Sequence, residues 1–187
     1  MNRTAMHTLR RWLAVTGVAA FLAGCADEEP IAPDAQPALA AQFATQPGSN
    51  TERLIAMLRR VTNRYHNLNA AIADGFVLLH PCEDRPGEGP VGTVYVHMGR
   101  LLDGKIDPET PDALIYEPGR KEGLTLVGVE FAIPYGLWTA QTPPAFLGAT
   151  FQREDEFGVF ALHAWVWRPN PNGMFAETNP RVSCGTD

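Results

Sequence analysis

Two stretches decide the fold: GVFALHAWVWR, residues 158–168, and LTLVGVEFAI, residues 124–133. Successive side chains of a strand point to opposite faces. In the first stretch Phe160, Leu162, Ala164 and Val166 therefore share one face, and Val159, Ala161, His163, Trp165 and Trp167 share the other. Both faces are largely apolar, which suits a central strand covered on both sides. In the second stretch Val127, Val129, Phe131 and Ile133 fall together, and Glu130 stands with Leu126 and Gly128 opposite them. A third run, 92–98, sets Val94, Val96 and Met98 against Thr93, Tyr95 and His97. Shorter runs at 76–80 and 113–117 add two more strands. Asp103-Gly104, Pro118-Gly119, Glu122-Gly123 and Asn172-Gly173 are the expected turns.

Ahead of the strands the period changes. Leu54, Leu58, Val61, Tyr65, Leu68 and Ile72 recur at alternating spacings of 4 and 3, one apolar stripe of an amphipathic helix. Ser49-Asn50-Thr51-Glu52 has the form of a capping box at its start, and Asp74-Gly75 supplies a stop. The spacing predicts one helix over about 51–74. A helix followed by strands argues an α+β fold, an N-terminal amphipathic helix packed on a curled, mostly antiparallel sheet. Residues 51–187 are of ordinary size for the single domain this describes.

The 187 residues are 45% hydrophobic and 19% charged, with a formal net charge of −6, so neither a disordered acidic chain nor a multi-spanning membrane protein fits. No block of Lys and Arg lies outside the first residues, which leaves no electrostatic footprint for nucleic acid. At the N-terminus Arg3, Arg10 and Arg11 precede an apolar run from Trp12 to Leu22 that ends in Leu22-Ala23-Gly24-Cys25. This order resembles a bacterial lipoprotein signal, with 1–24 removed and Cys25 lipidated on its thiol. Cleavage there removes three arginines and takes the side-chain charge from −6 to −9. Two or three acyl chains give stable membrane attachment, whereas one binds only marginally. Residues 25–50, with four prolines, four acids and no base, read as the lipidated cysteine and a flexible tether. The expected location is the bacterial cell envelope, with the domain in the periplasm or at the cell surface. Asp27 is one place removed from the position that retains lipoproteins at an inner membrane, which points to the outer membrane.

Cys82 and Cys184, 102 positions apart, are an even pair in an oxidising compartment, and a disulfide is their natural reading. Gly87-Glu88-Gly89-Pro90-Val91-Gly92 satisfies the glycine spacing of a dinucleotide loop, but a strand follows it where a helix is needed, so it reads as a loop. No phosphate loop, G-x-S-x-G elbow, H-E-x-x-H or haem-attachment sequence is present.

If the bulky aliphatic faces all pack on the helix, then Tyr95, His97, Glu130, His163, Trp165 and Trp167 share the other side. Tyr95, Glu130, His163, Trp165 and Trp167 are the candidate ligand-binding set. His97, Glu130 and His163 are the candidate ligands if a divalent metal is bound, although no motif requires a cofactor. The bland alternative is a satisfied polar core in which Glu130 and His163 hydrogen-bond to their neighbours.

From about Tyr65 to Cys184 the chain resembles an uncharacterised family of exported bacterial proteins, through DGF at 74–76, LVGVEF at 126–131 and LHAWVWRPNPNGMFAETNPRVSC at 162–184. The resemblance implies the two cysteines, Glu130 and His163 as shared features, and histidine often stands in that family where this chain has Val94. It implies no catalytic role. The expectation is an envelope lipoprotein whose domain binds a small ligand or an envelope protein. The alternative is an exported metal-dependent hydrolase or oxygenase using His163 and Glu130.

Overall fold

The computed structural model describes residues 47–119, 123–146 and 148–185. The segment expected as a signal (1–24), Cys25 and the expected tether as far as residue 46 lie outside the described residues, and residues 47–50, expected to belong to the tether, are helical. The fold is α+β, a small helical part on a strongly curled antiparallel sheet.

Helix α1 (Pro47–Thr62) starts two residues ahead of Ser49. Proline suits a first helical turn because its missing N–H would have had no partner there. The helix expected over 51–74 is broken: a 3-10 turn follows at Asn63–His66, and a second helix, α2 (Leu68–Ala73), begins afresh. The break lies at Asn67, which is extended (φ −92°, ψ 106°) and whose side-chain oxygen accepts the Asn69 N–H at 3.1 Å. Asparagine competes in this way with helical hydrogen bonding. The interruption shifts the phase of the stripe. Leu54, Leu58 and Tyr65 are buried as expected, but Ile72 is 51% exposed and Ala71 takes its place in the core. Burial of Leu54 and Leu58 contributes about 1.5–3 kcal/mol each.

The main sheet has six strands: β1 (Val77–Arg85), β2 (Gly89–Val96), β3 (Ala113–Pro118), β4 (Leu124–Pro134), β7 (Gln152–Glu154) and β8 (Val159–Ala164). A short hairpin, β5 (Ala145–Phe146) and β6 (Ala149–Thr150), stands apart, and α3 (Met98–Leu101) follows β2. The order is β1-β2-β3-β4-β8-β7, with every neighbouring pair antiparallel. Strand β1 runs on past its expected end at 80, through Pro81. An edge strand tolerates proline because one side of its ladder is open. The glycine-spaced segment 87–92 forms the β1–β2 connection and the start of β2. Gly92 (φ 95°) is required there: a Cβ would lie 2.7 Å from Ile115 Cγ2 and 3.0 Å from the Tyr116 carbonyl oxygen.

Six flat strands would hold the outer two about 24 Å apart. Here Arg85 of β1 forms an ion pair with Glu154 of β7 at 3.5 Å and another with Glu177, and the His80 ring stacks with Phe157 at 5.8 Å. Glu154 is opposite Val159, on the face that also carries Ala161 and His163, so this face is the inside of the curl. Helices α1 and α2 cover the outside, over Leu114, Tyr116, Val129, Phe131 and Leu162. The inside holds Val94, Val96, Ala113, Ile115, Val127 and Trp165. Beyond β8 the chain crosses this inner face as an irregular strap, buries Val182 in it, and ends at the Cys82–Cys184 disulfide.

Candidate functional site

Glu130 of β4 and His163 of β8 are direct cross-strand partners. Both point to the inside of the curl, and both are buried, 9% and 7% exposed. His163 Nε2 lies 3.5 Å from Glu130 Oε2. The other ring nitrogen, Nδ1, is 2.6 Å from the Glu177 carbonyl oxygen in the strap. A carbonyl oxygen only accepts, so Nδ1 carries the hydrogen and Nε2 is the position that faces the carboxylate. The Trp165 ring stands edge-on to the imidazole at 5.9 Å, and its indole N–H donates to the Ala176 carbonyl at 2.6 Å. The strap is thus fastened to β8 at two successive carbonyls by two side chains of the inner face. A shallow depression is lined by His163 together with Gln152, Glu154, Phe175 and Glu177.

Three residues of the expected site lie elsewhere. Tyr95 packs into the helix-side core, its ring edge-on to Tyr116 at 5.6 Å. Trp167 donates from Nε1 to Thr62 Oγ1 at 3.1 Å and packs on His66 and Arg59, again on the helix side. His97 lies edge-on to Phe76 at 5.4 Å, and its Nδ1 accepts the Arg100 N–H at 3.2 Å, capping α3. Two local events explain the difference. Strand β8 ends at Ala164, and Trp165 to Trp167 no longer alternate as strand residues: Trp167 and Arg168 both donate to the Val127 carbonyl. In β2 the aliphatic set Val94 and Val96 faces the inside rather than the helices, which sends Tyr95 outward. In β4 a register shift opposite Ile115 and Tyr116 turns Val127 inward and Leu126 outward, while Glu130 keeps its face.

The structure therefore brings together Glu130, His163 and Trp165, and separates Tyr95, His97 and Trp167 from them. Among the described residues no three His, Cys, Asp or Glu side chains cluster in a way that could hold a metal ion. Position 94 is a buried valine packed in the same cluster as Trp165.

One buried acid was not singled out from the sequence. Asp112, 2% exposed, precedes β3 and extends the ladder with its side chain: Oδ2 accepts the Ala132 N–H at 2.9 Å, and its own N–H donates to the Glu130 carbonyl at 3.0 Å. Burial pushes its carboxyl up to about 7, with the Ala132 bond opposing and the Glu130 charge reinforcing the rise. Pro111-Asp112 before a strand is also an ordinary turn signature, so the sequence offers no signal that this acid is buried. A carboxyl raised in the folded state favours folding most below its unfolded value of 3.8, and that contribution is lost as pH rises through about 7. Asp112→Asn keeps an acceptor for Ala132 and removes the charge. The variant is expected to be more stable than the parent at pH 8 by about 1–3 kcal/mol, the desolvation relieved less the weaker hydrogen bond. Urea unfolding at pH 5 and pH 8 checks this: the gain should shrink at pH 5, and a variant less stable at pH 8 would contradict it.

Within the described residues every fully buried side-chain polar atom has a hydrogen-bond partner. The chain matches no protein-family model, no curated protein and no solved structure, and its function is read from the geometry above.

Proposed function

We propose that the chain is a lipoprotein of the bacterial cell envelope, anchored at the outer membrane through Cys25, whose α+β domain binds a small ligand or an envelope protein. The observation that supports binding over hydrolase or oxygenase chemistry is the placement of the Glu130–His163 pair. Both side chains are buried, Nε2 is turned to the carboxylate and Nδ1 is taken by the strap carbonyl of Glu177. Both ring nitrogens of His163 are thus engaged within the fold, whereas a general base must reach the proton it abstracts. The disulfide between Cys82 and Cys184 accords with an exported domain.

Cys25→Ser is the test of the anchor. Metabolic labelling with palmitate should mark the parent chain and leave the variant unlabelled, with its signal segment unprocessed. Equal labelling of the two chains would exclude lipidation at this cysteine. For the binding role, Glu130→Gln should lower stability and leave binding unchanged, because the pair serves the fold. Loss of binding at constant stability would return the pair to the site.

A further inference from the structure

A groove of about 280 Å³ is lined by Ile55 of α1 and by Val166, Pro169 and Met174 of the segment that follows β8. Trp165 forms part of its floor and Arg59 stands at its rim. Asn170 also lines it, but its amide is committed, Nδ2 to the Thr178 carbonyl and Oδ1 to the Asn172 N–H. Arg59 is held in place and is nevertheless available. Its Nε–H donates to the Val166 carbonyl at 2.7 Å, and its guanidinium carbon lies 5.7 Å from the Trp167 ring centre. These contacts fix the plane of the guanidinium and leave its terminal N–H groups unused. Among the described residues Arg59 takes part in no ion pair, and no acid lines the groove. An apolar groove with one preorganised guanidinium at its rim matches a ligand with an apolar body and a single carboxylate, the planar anion that Arg pairs with by two parallel bonds.

Size narrows the class. An apolar cavity of about 150 Å³ takes benzene, six non-hydrogen atoms, so 280 Å³ corresponds to about ten. We propose that this groove is a binding site for a medium-chain monocarboxylate of about that size, the carboxylate on Arg59 and the chain against Ile55, Val166 and Met174. The assignment rests on the reading that the domain binds rather than catalyses, and it supplies the ligand class that reading leaves open.

The test is a titration of the full chain with octanoate below its micellar concentration, followed by intrinsic tryptophan fluorescence, to which Trp165 in the groove contributes, with octanol and octylammonium as head-group controls. Octanoate should bind saturably with Kd below about 1 mM, a modest affinity for ten atoms. Octanol should bind at least tenfold more weakly and octylammonium not at all. Arg59→Gln should weaken octanoate at least tenfold. Met174→Phe, which narrows the groove and retains Arg59, should weaken octanoate at least tenfold and covers the case in which Arg59→Gln is poorly folded. Absence of saturable octanoate binding, equal binding of octanol, or indifference to both variants would overturn the assignment. Any of these would leave the envelope-lipoprotein reading standing, since that reading fails on a separate measurement, equal palmitate labelling of the parent and Cys25→Ser chains.

Discussion

Replacing Cys82 and Cys184 together by serine is expected to lower the unfolding free energy by about 4 kcal/mol, close to the 4.7 that the chain-entropy model gives for a loop of about 100 residues. The bond spans 102 positions and ties the edge strand β1 to the end of the strap. The folded state should survive its loss because the strap has other holds. Asn179 N–H donates to the Pro90 carbonyl at 3.0 Å, Thr178 Oγ1 donates to the Glu88 carbonyl at 2.6 Å, and Val182 is buried against the sheet. The effect thus falls mainly on the unfolded chain, which gains the freedom that the crosslink denied it. For a domain of this size the melting temperature should drop by about 10–15 °C, with the far-ultraviolet circular dichroism of the native state unchanged. A drop of less than about 3 °C, or loss of the sheet signal at low temperature, would contradict this account.

The second large effect is expected at the Glu130–His163 pair. His163→Leu removes the donor to the Glu177 carbonyl and, among the described residues, the ion-pair partner of Glu130, both in a buried layer. A buried ionic partner left alone costs about 3–5 kcal/mol, so His163→Leu should destabilise by about 3 kcal/mol. It should also loosen the strap, since one of its two side-chain fastenings to β8 is gone while Trp165 Nε1 to Ala176 remains. Hydrogen exchange reads that local effect: the amides of 176–179 should exchange faster in the variant than the strand amides of β3 and β4. Glu130→Gln should cost less, about 1 kcal/mol, because its amide can donate to Nε2 while Nδ1 keeps its carbonyl. A loss for Glu130→Gln as large as that for His163→Leu would show that the amide does not replace the carboxylate in this contact, and would contradict the ranking.

The sheet was readable because apolar residues recur at every second position in 113–117, 124–133 and 158–164, and a two-sided apolar strand has little choice but a central place. The disulfide was readable from an even pair, Cys82 and Cys184, with no C-x-x-C spacing to suggest a metal site. What alternation could not supply was phase. It groups the residues of one strand, but nothing within Val94, Tyr95 and Val96 says which group meets the helices, and here the aliphatic pair turned inward. A register shift at Val127 and the end of β8 at Ala164 then broke the parity that would have carried Trp167 inward with His163. The helix break at Asn67 had a local signal, an asparagine able to cap, but the stripe ran through it unbroken in sequence. Glu130 and His163 kept their shared face because both lie within regular strand, four and one residues from the respective strand ends.

The claim that Glu130 and His163 form one sealed unit of the fold is tested most directly by a double-mutant cycle in urea with Glu130→Met, His163→Leu and the two combined. Removing both partners leaves an apolar pair in an apolar layer, so the double variant should be less destabilised than the sum of the singles by about 2 kcal/mol. Additivity within about 0.4 kcal/mol would show that the two side chains act independently, and would contradict the account.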